Sequence, residues 1–325
     1  MNRRSLLAAL ILSTTALSAM PSFAQDDLTS VQIRLDWRPG AQHAPFYYGQ
    51  ASGLYAQEGI DLEIISGSGS SDTVKQVGAN AVEFGLVDGL VLVQAKAQDV
   101  PVVAIAGFYQ DNPTVVISPQ DSPITSPDQL TDGVLLGNKK GSATSQGLSA
   151  MLSANGISED DVEMADVGFG VQPLLVGQVG AMMGFEMNEP IEAATLDMAV
   201  HVMPVSEFGV DAYGLTLVAG QNVIADNPDL VAGFVRATLA AMQASMDNPH
   251  EAIAAVAGAV DEVDTDREAK VLELTTPYWT GSADREIGAM SEARWQSTSE
   301  LAAKLGLVDA APEASSLFTT DFIAQ

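Results

Sequence analysis

A carboxylate, an indole and an imidazole follow one another closely near the start of the chain. Asp36 and Trp37 come directly after an apolar alternation, and His43 follows a Pro-Gly turn. Tyr47 lies in the next stretch, where the pattern predicts a helix over residues 46–58. An indole can stack on a flat heterocycle while acidic and imidazole groups hydrogen-bond to the ring edge. The spacing predicts a site for a flat ligand; the alternative is that the rings pack in the core and His43 lies in a surface turn.

Two later stretches supply further candidates. Ser68 and Ser70 lie in a Gly/Ser-rich loop that leads into a predicted helix, whose free amides suit an anion or a carbonyl oxygen. The loop lacks the Gly-Lys-Ser/Thr ending of a nucleotide P-loop and the third glycine of a dinucleotide fingerprint. Asn188 and Glu189 precede a predicted helix, where Glu189 is either a ligand carboxylate or a helix cap. Tyr213 precedes a predicted strand and is the last candidate.

The predicted strands and helices that position these residues are typical of an α/β protein. From Val31 onward, short apolar strands alternate with amphipathic helical stretches, which indicates mainly parallel sheets flanked by helices. Ligands of such sheets bind at the carboxyl ends of the strands. Three prolines in residues 119–127 indicate a boundary. We predict two lobes, residues 25–117 with 220–325 and residues 118–219, joined by two crossings and enclosing a cleft.

The composition of the 325 residues argues against several classes of function. Cysteine is absent, so there is no disulfide framework, thiolate zinc site or thiol nucleophile. The net charge of −28, from 14 basic and 42 acidic residues, argues against binding nucleic acid or an anionic membrane. There are three histidines, with no Gly-x-Ser-x-Gly or His-x-x-x-His pattern. Glu186 and Glu189 could do acid–base work, but capping explains their spacing equally well. We expect no enzyme activity, no cofactor and no metal.

The N-terminus has the pattern of a signal peptide over residues 1–24. Arg3 and Arg4 form a basic head, an apolar run follows, and Ser22-Phe23-Ala24 is a small-x-small cleavage site. The arginine pair hints at twin-arginine export without that motif's fuller consensus, so ordinary secretion is favoured. No cysteine follows that could carry a lipid anchor. We expect a soluble periplasmic protein.

Four stretches of the chain form a recognisable pattern. The first is Asp-Trp-Arg-Pro at 36–39 with His-Ala-Pro-Phe-Tyr at 43–47, and the second is Gly-Leu-Tyr-Ala-Gln-Glu-Gly at 53–59, continuing to 63. The third is Val-Gly-Phe at 167–169 with Gly-Phe-Glu-Met-Asn-Glu-Pro at 184–190, and the fourth is Phe-Gly-Val-Asp-Ala-Tyr at 208–213. Together they resemble the periplasmic substrate-binding proteins of ABC importers, in the branch shared with thiamine-pyrimidine synthases. The pattern is most similar to that of the formylaminopyrimidine-binding proteins.

The resemblance implies a two-lobed periplasmic-binding-protein type II fold with the ligand cleft between the lobes. It implies a monomer that captures a thiamine-precursor pyrimidine, of the hydroxymethylpyrimidine or formylaminopyrimidine type, and delivers it to an ABC permease with its ATPase. The same fold binding riboflavin, a sulfonate such as taurine, or nitrate is the alternative ligand class. An enzyme of pyrimidine biosynthesis is the alternative from another class.

The chain departs from the family pattern at two places. Glu186-Met187 stands where the family often has Tyr-Trp, which puts the exact ligand in doubt. Val91, ahead of an Ala-Lys-Ala run, falls where synthases of the yeast type have a histidine that is consumed as substrate. That chemistry should therefore be absent here.

Cleavage of the leader is directly testable. Protein purified from the periplasm should begin at Gln25, since the cleavage site ends at Ala24. N-terminal sequencing checks this. A product that keeps its first 24 residues and sediments with membranes would contradict it.

Overall fold

The computed structural model describes residues 28–168, 170–281 and 285–323. The leader predicted for residues 1–24 lies outside these ranges. Within them, no helix combines the length and the apolar character needed to cross a bilayer.

The described chain folds into ten strands and twelve α-helices. The strands are β1 (Thr29–Arg34), β2 (Ile60–Ile65), β3 (Phe84–Asp88), β4 (Val102–Gly107), β5 (Thr114–Pro119), β6 (Leu136–Asn138), β7 (Met164–Asp166), β8 (Ala181–Phe185), β9 (Val200–Pro204) and β10 (Leu215–Gly220). The helices are α1 (Ala44–Ala51), α2 (Leu54–Gln57), α3 (Ser70–Gly78), α4 (Gly89–Ala97), α5 (Ala143–Ala154), α6 (Gln172–Leu175), α7 (Glu189–Thr195), α8 (Gln221–Asp226), α9 (Pro228–Asp247), α10 (Pro249–Ala259), α11 (Thr265–Thr280) and α12 (Glu292–Lys304).

Local sequence explains where these elements form. In β1 the apolar alternation buries Val31 and Ile33. β3 is buried at every position, as expected for a strand covered on both faces. α9 begins at Pro228, whose fixed φ suits the first helical position. The helix predicted over residues 46–58 is broken into α1 and α2, because the chain turns through Gly53 at φ +78°.

The strands form two five-stranded sheets with matching order. The first runs β2-β1-β3-β10-β4 and the second β7-β6-β8-β5-β9. In the first sheet β10 is antiparallel to β3 and β4, and in the second β5 is antiparallel to β8 and β9. The remaining strands of each sheet run in one direction. The two-lobed α/β fold class is confirmed, with one reversed strand in each otherwise parallel sheet.

Sheet membership corrects the positions of the two crossings. The predicted boundaries, at 117/118 and 219/220, fall inside β5 and β10. β5 belongs to the second sheet and β10 to the first, so the chain crosses over residues 108–113 and returns over residues 205–214. The reason is that each reversed strand directly follows a crossing and enters the sheet of the lobe that the chain has just reached.

Apolar contacts join the lobes on both sides of the crossings. One buried cluster combines residues of α4 in the first lobe, such as Leu90, with residues of α5 in the second, such as Leu148. Met187 and Ile191 of the second lobe belong to the buried cluster of the first lobe. The lobes are therefore in contact with each other in this structure.

The two crossing segments lie backbone against backbone. The Tyr109 amide donates to the Leu215 carbonyl at 2.7 Å, and the Gly214 amide donates to the Tyr109 carbonyl at 3.2 Å. A Cβ built on Gly214 would lie 2.4 Å from the carbonyl oxygen of Asp111. Only a residue without a side chain fits there unless the segments separate.

Replacing Gly214 tests this contact. Gly214→Ala should destabilise the protein by about 1–3 kcal/mol, because overpacking forces the two segments apart. Gly258→Ala is the matched control, since Gly258 lies in α10 with no atom within 4 Å of the added Cβ. It should stabilise the helix by up to about 1 kcal/mol. Chemical denaturation measures both, and equal effects would contradict the close approach.

Candidate ligand site between the lobes

A partly enclosed cavity lies between the carboxyl ends of the strands of both sheets. Its volume is about 30 Å³, so a six-membered ring fits only if the lobes close less tightly around it or a side chain of the wall turns. The first lobe contributes the end of β1 and the start of α3. The second lobe contributes β8 and the loops after β6 and β7. The lining residues are Asp36, Trp37, Gly69, Ser70, Lys139, Ala143, Thr144, Val167, Gly168, Gly170, Met182, Met183, Gly184, Phe185, Asn188 and Glu189.

Five of the nine predicted site residues meet at this cavity. They are Asp36, Trp37, Ser70, Asn188 and Glu189. They come from segments up to about 150 positions apart in the sequence, and the fold brings them to one place. Their role in binding stays a prediction.

His43 hydrogen-bonds to Asp36 from outside the cavity wall. The His43 Nε2 lies 2.9 Å from Asp36 Oδ1, and the imidazole is fully buried. His43 Nδ1 has no hydrogen-bond partner, which favours the tautomer that carries its proton on Nε2 and donates it to Asp36. His43 was predicted in the cleft, but it lies outside the cavity wall and orients a carboxylate that lines it.

The Gly/Ser loop reaches across to the second lobe. The Ser70 hydroxyl accepts a hydrogen bond from the Asp88 amide at 3.2 Å. The Ser71 amide donates to the Gly141 carbonyl at 3.3 Å. A Cβ on Gly69, which has φ +129°, would lie 3.2 Å from that same oxygen. Ser68 is exposed, away from the cavity lining, and donates to Asp72. The loop is therefore a point of contact between the lobes.

Glu189 is a buried carboxyl group on the wall of the second lobe. One of its oxygens accepts a hydrogen bond from the Phe185 amide at 2.8 Å. Burial raises the pKa of Glu189 to about 7, and the charge of Glu192 adds to the shift, while two backbone amides oppose it. Near neutral pH this carboxyl group is therefore able to donate as well as accept a hydrogen bond.

Asp88 is a second buried carboxyl group, which the sequence reasoning missed. It ends β3 and caps α4, accepting from the Leu90 amide at 2.9 Å. Burial raises the pKa of Asp88 to about 8, against the opposing helix amides, and the nearby charge of Asp36 contributes. The available signal was its position between a buried strand and a helix, which is where capping acids occur.

Tyr47 and Tyr213 pack inside the protein, away from the cavity. Tyr47 belongs to the core of the first lobe, and burial raises its pKa to about 12. The ring of Tyr213 lies 4.8 Å from that of Trp295, tilted by 36°, and its hydroxyl accepts from the Ser291 amide. Trp295 and Trp279 are fully buried packing residues.

Most helix starts near the cleft already carry a protein side chain. The Asp88 carboxylate caps α4, the Ser142 hydroxyl caps α5, and Glu189 lies in the first turn of α7. α3 starts without a side-chain cap, but Asp72 in its first turn pairs with Arg34 at 2.6 Å. Because these acids and hydroxyls occupy the positions that anions use, the site has little to offer a strong anion. Lys139, an alternative source of positive charge, does line the cavity.

The site has no constellation suited to a metal. Within the described residues, no group of three or more histidine, aspartate or glutamate side chains could hold a metal ion.

Comparison with known proteins identifies the family. The family described as "NMT1/THI5 like" matches residues 40–252. The chain belongs to this family. The match includes the cavity walls at Ser70, Lys139 and Glu189, and starts just after Trp37.

Two binding proteins and a synthase are similar over most of the chain. The riboflavin-binding protein RibY of Chloroflexus aurantiacus is 27% identical, covering 92% of this chain and 88% of that protein. The formylaminopyrimidine-binding protein of Halalkalibacterium halodurans is 28% identical, covering 76% and 75%. A 4-amino-5-hydroxymethyl-2-methylpyrimidine phosphate synthase of Legionella pneumophila is 23% identical, covering 90% and 92%.

Solved structures share the fold. The alkanesulfonate-binding protein SsuA of Xanthomonas axonopodis superposes with a TM-score of 0.70 at 14% identity, covering 90% of this chain and 98% of that one. This NMT1/THI5-like chain thus has the periplasmic-binding-protein fold, as its sequence pattern indicated.

The raised pKa of Asp88 predicts how stability depends on pH. In the unfolded chain an aspartate titrates near pH 4, whereas the folded protein holds this proton up to about pH 8. Between these values the folded state binds more protons, so stability falls as pH rises, by up to about 1.4 kcal/mol per unit. Asp88→Asn, which keeps a capping oxygen, should remove this loss.

Thermal unfolding of both proteins from pH 5 to 8 measures the effect. The difference in melting temperature, Asp88→Asn minus wild type, should increase as pH rises. A constant difference across this range would mean that Asp88 is ionised in the folded protein.

Proposed function

We propose that this protein is the periplasmic solute-binding component of an ABC importer and captures a small, flat nitrogen heterocycle of the thiamine-precursor pyrimidine type. One observation carries the proposal: Trp37 of the first lobe and Glu189 of the second line the same cavity. An indole suits the face of a heteroaromatic ring, and a carboxyl group suits its edge.

Glu189 has the chemistry that an aminopyrimidine edge requires. That edge presents an amine, which donates, beside a ring nitrogen, which accepts. A carboxyl group that holds its proton to about pH 7 can accept from the amine and donate to the nitrogen. Asp36, held by His43, offers a further acceptor at the other wall.

Ligands of other classes fit the site less well. A sulfonate or nitrate calls for several cationic groups, whereas the cavity wall has Lys139 beside Asp36 and Glu189. Riboflavin remains the alternative, because it is also flat and uncharged and because a riboflavin-binding protein is similar over 92% of the chain.

An enzyme is the alternative from another class, since several relatives are named as synthases. Val91, where the synthase pattern has a substrate histidine, is a buried apolar residue of α4. The product in the synthases' name carries a phosphate, which the capped helix starts do not favour. If the protein were such a synthase, it would form the pyrimidine phosphate itself. Mass spectrometry of the purified protein, incubated without added pyrimidine, should therefore detect no newly formed pyrimidine phosphate.

Titration calorimetry on variants tests whether Trp37 stacks on the ring and Glu189 hydrogen-bonds to its amine. The probes are 4-amino-5-hydroxymethyl-2-methylpyrimidine and its analogue without the 4-amino group. Trp37→Ala should weaken both by a similar factor, at least about threefold, because stacking does not depend on the amine. Glu189→Ala should weaken the amine-bearing probe about tenfold more than the analogue, since a charge-assisted or shared-proton hydrogen bond is worth about 1.5–3 kcal/mol.

Two further variants make the result specific. Glu189→Gln keeps the donor–acceptor pattern of the protonated acid, so it should bind nearly as well at pH 7. It should also lose the fall in affinity, up to tenfold per pH unit, that the wild type shows above pH about 7. Glu163→Gln is the control, because Glu163 is an exposed glutamate of the second lobe that lines neither the cavity nor any neighbouring pocket. Equal losses for both probes in Glu189→Ala would leave Glu189 with a structural role only.

A further inference from the structure

A wider groove continues outward from the cavity. It shares Trp37, Asn188 and Glu189 with the cavity wall, and it measures about 570 Å³ against about 30 Å³ for the cavity itself. Its walls come from both lobes, with residues 38–42 and 260–268 on one side and α7 on the other. Most of the free space in the cleft therefore lies outside the place that would hold a ring.

Trp37 lies between the cavity and the groove. Its indole is half-buried and lines both of them. A ring stacked on this indole would direct any substituent on its outer edge into the groove. The groove is thus positioned to contact the part of a ligand that the cavity cannot enclose.

The charges along the groove are mostly negative. Six acidic residues line it, and the five besides Glu189, which holds its proton to about pH 7, carry the negative charge. The basic residues of the groove are Arg38 and Arg267, and Arg267 pairs with Glu268. The helix α11, which starts at the groove, is capped by Asp264, whose carboxylate accepts from the amides of residues 266 and 267 at 3.0 and 3.1 Å. An anionic substituent would meet like charges and an occupied helix start. The six acidic residues are Glu189, Glu192, Asp261, Glu262, Asp264 and Glu268.

We propose that this groove is a second subsite, which accepts an uncharged hydroxyl- or amine-bearing substituent of the ring and rejects its phosphate ester. This rests on the proposed function, in which the ring occupies the inner cavity. The physical basis is like-charge repulsion combined with hydroxyl or amine donors that the carboxylates can accept. The importer would then take up the free alcohol form of its solute and leave phosphorylated forms outside.

Two pairs of compounds test the subsite by titration calorimetry at low salt. They are 4-amino-5-hydroxymethyl-2-methylpyrimidine with its phosphate, and riboflavin with its 5′-phosphate. Each parent that binds should bind about thirtyfold more tightly than its phosphate. This affinity gap between parent and phosphate should narrow as added salt screens the exposed carboxylates.

A charge-neutralising variant locates the effect. Asp261→Asn with Glu262→Gln removes two exposed charges from the groove and should reduce the gap at least about threefold. Asp160→Asn with Asp161→Asn is the matched control. It removes the same charge just before β7, at the amino end of a strand whose carboxyl end faces the cavity, and should leave the gap unchanged.

The outcomes separate the two proposals. If parents bind and their phosphates bind equally well, the subsite proposal is overturned while the proposed function stands. If the gap shrinks equally in both double variants, net charge and not the groove causes it, which also overturns the subsite. If neither parent binds, the proposed function fails and the subsite fails with it.

Discussion

Two backbone segments that lie against each other connect the lobes, and the arrangement of the site depends on them. Residues 108–113 and 205–214 are joined by backbone hydrogen bonds, with Gly214 fitting against Asp111 because it has no side chain. The Gly89 amide at the start of α4 also donates to the Gly214 carbonyl at 2.9 Å. Each crossing ends in a reversed strand, so the other strands of both sheets bring their carboxyl ends to the cleft. Two adjacent crossings of this kind keep those ends opposed across the cleft.

The cleft is built around carboxyl groups that the fold buries. Burial of Asp88 and Glu189 raises their pKa values to about 8 and about 7, so both carry a proton for much of the neutral range. Removing ionisable groups from water costs free energy, and shifted groups of this kind cluster at functional sites. Here the same burial gives Glu189 a donor that an ionised carboxylate lacks. Under the proposed function, the cost in stability and the ability of Glu189 to hydrogen-bond to a ring edge have one cause.

The negative charge of the protein has a local consequence as well as a general one. With 42 acidic and 14 basic residues, the protein carries a formal net charge of −28 at pH 7. At the cleft the acids also occupy helix starts, as Asp88 does on α4 and Asp264 on α11. Sites that would otherwise attract an anion are satisfied from within the chain. This distinguishes the cleft from one built for nitrate or a sulfonate, although the fold is shared with proteins that bind them.

The sequence by itself determined most strands and helices, the two-lobed α/β class, and the position of Asp36, Trp37 and Glu189 at strand or helix ends, because alternation, capping and turn signals act over a few residues. Only the tertiary structure decided the reversed strands and the exact crossings, since strand direction depends on partners a hundred residues away. It also placed His43 behind Asp36 and Tyr213 against a distant tryptophan. A side chain's neighbours are set by long-range packing, which no local pattern encodes.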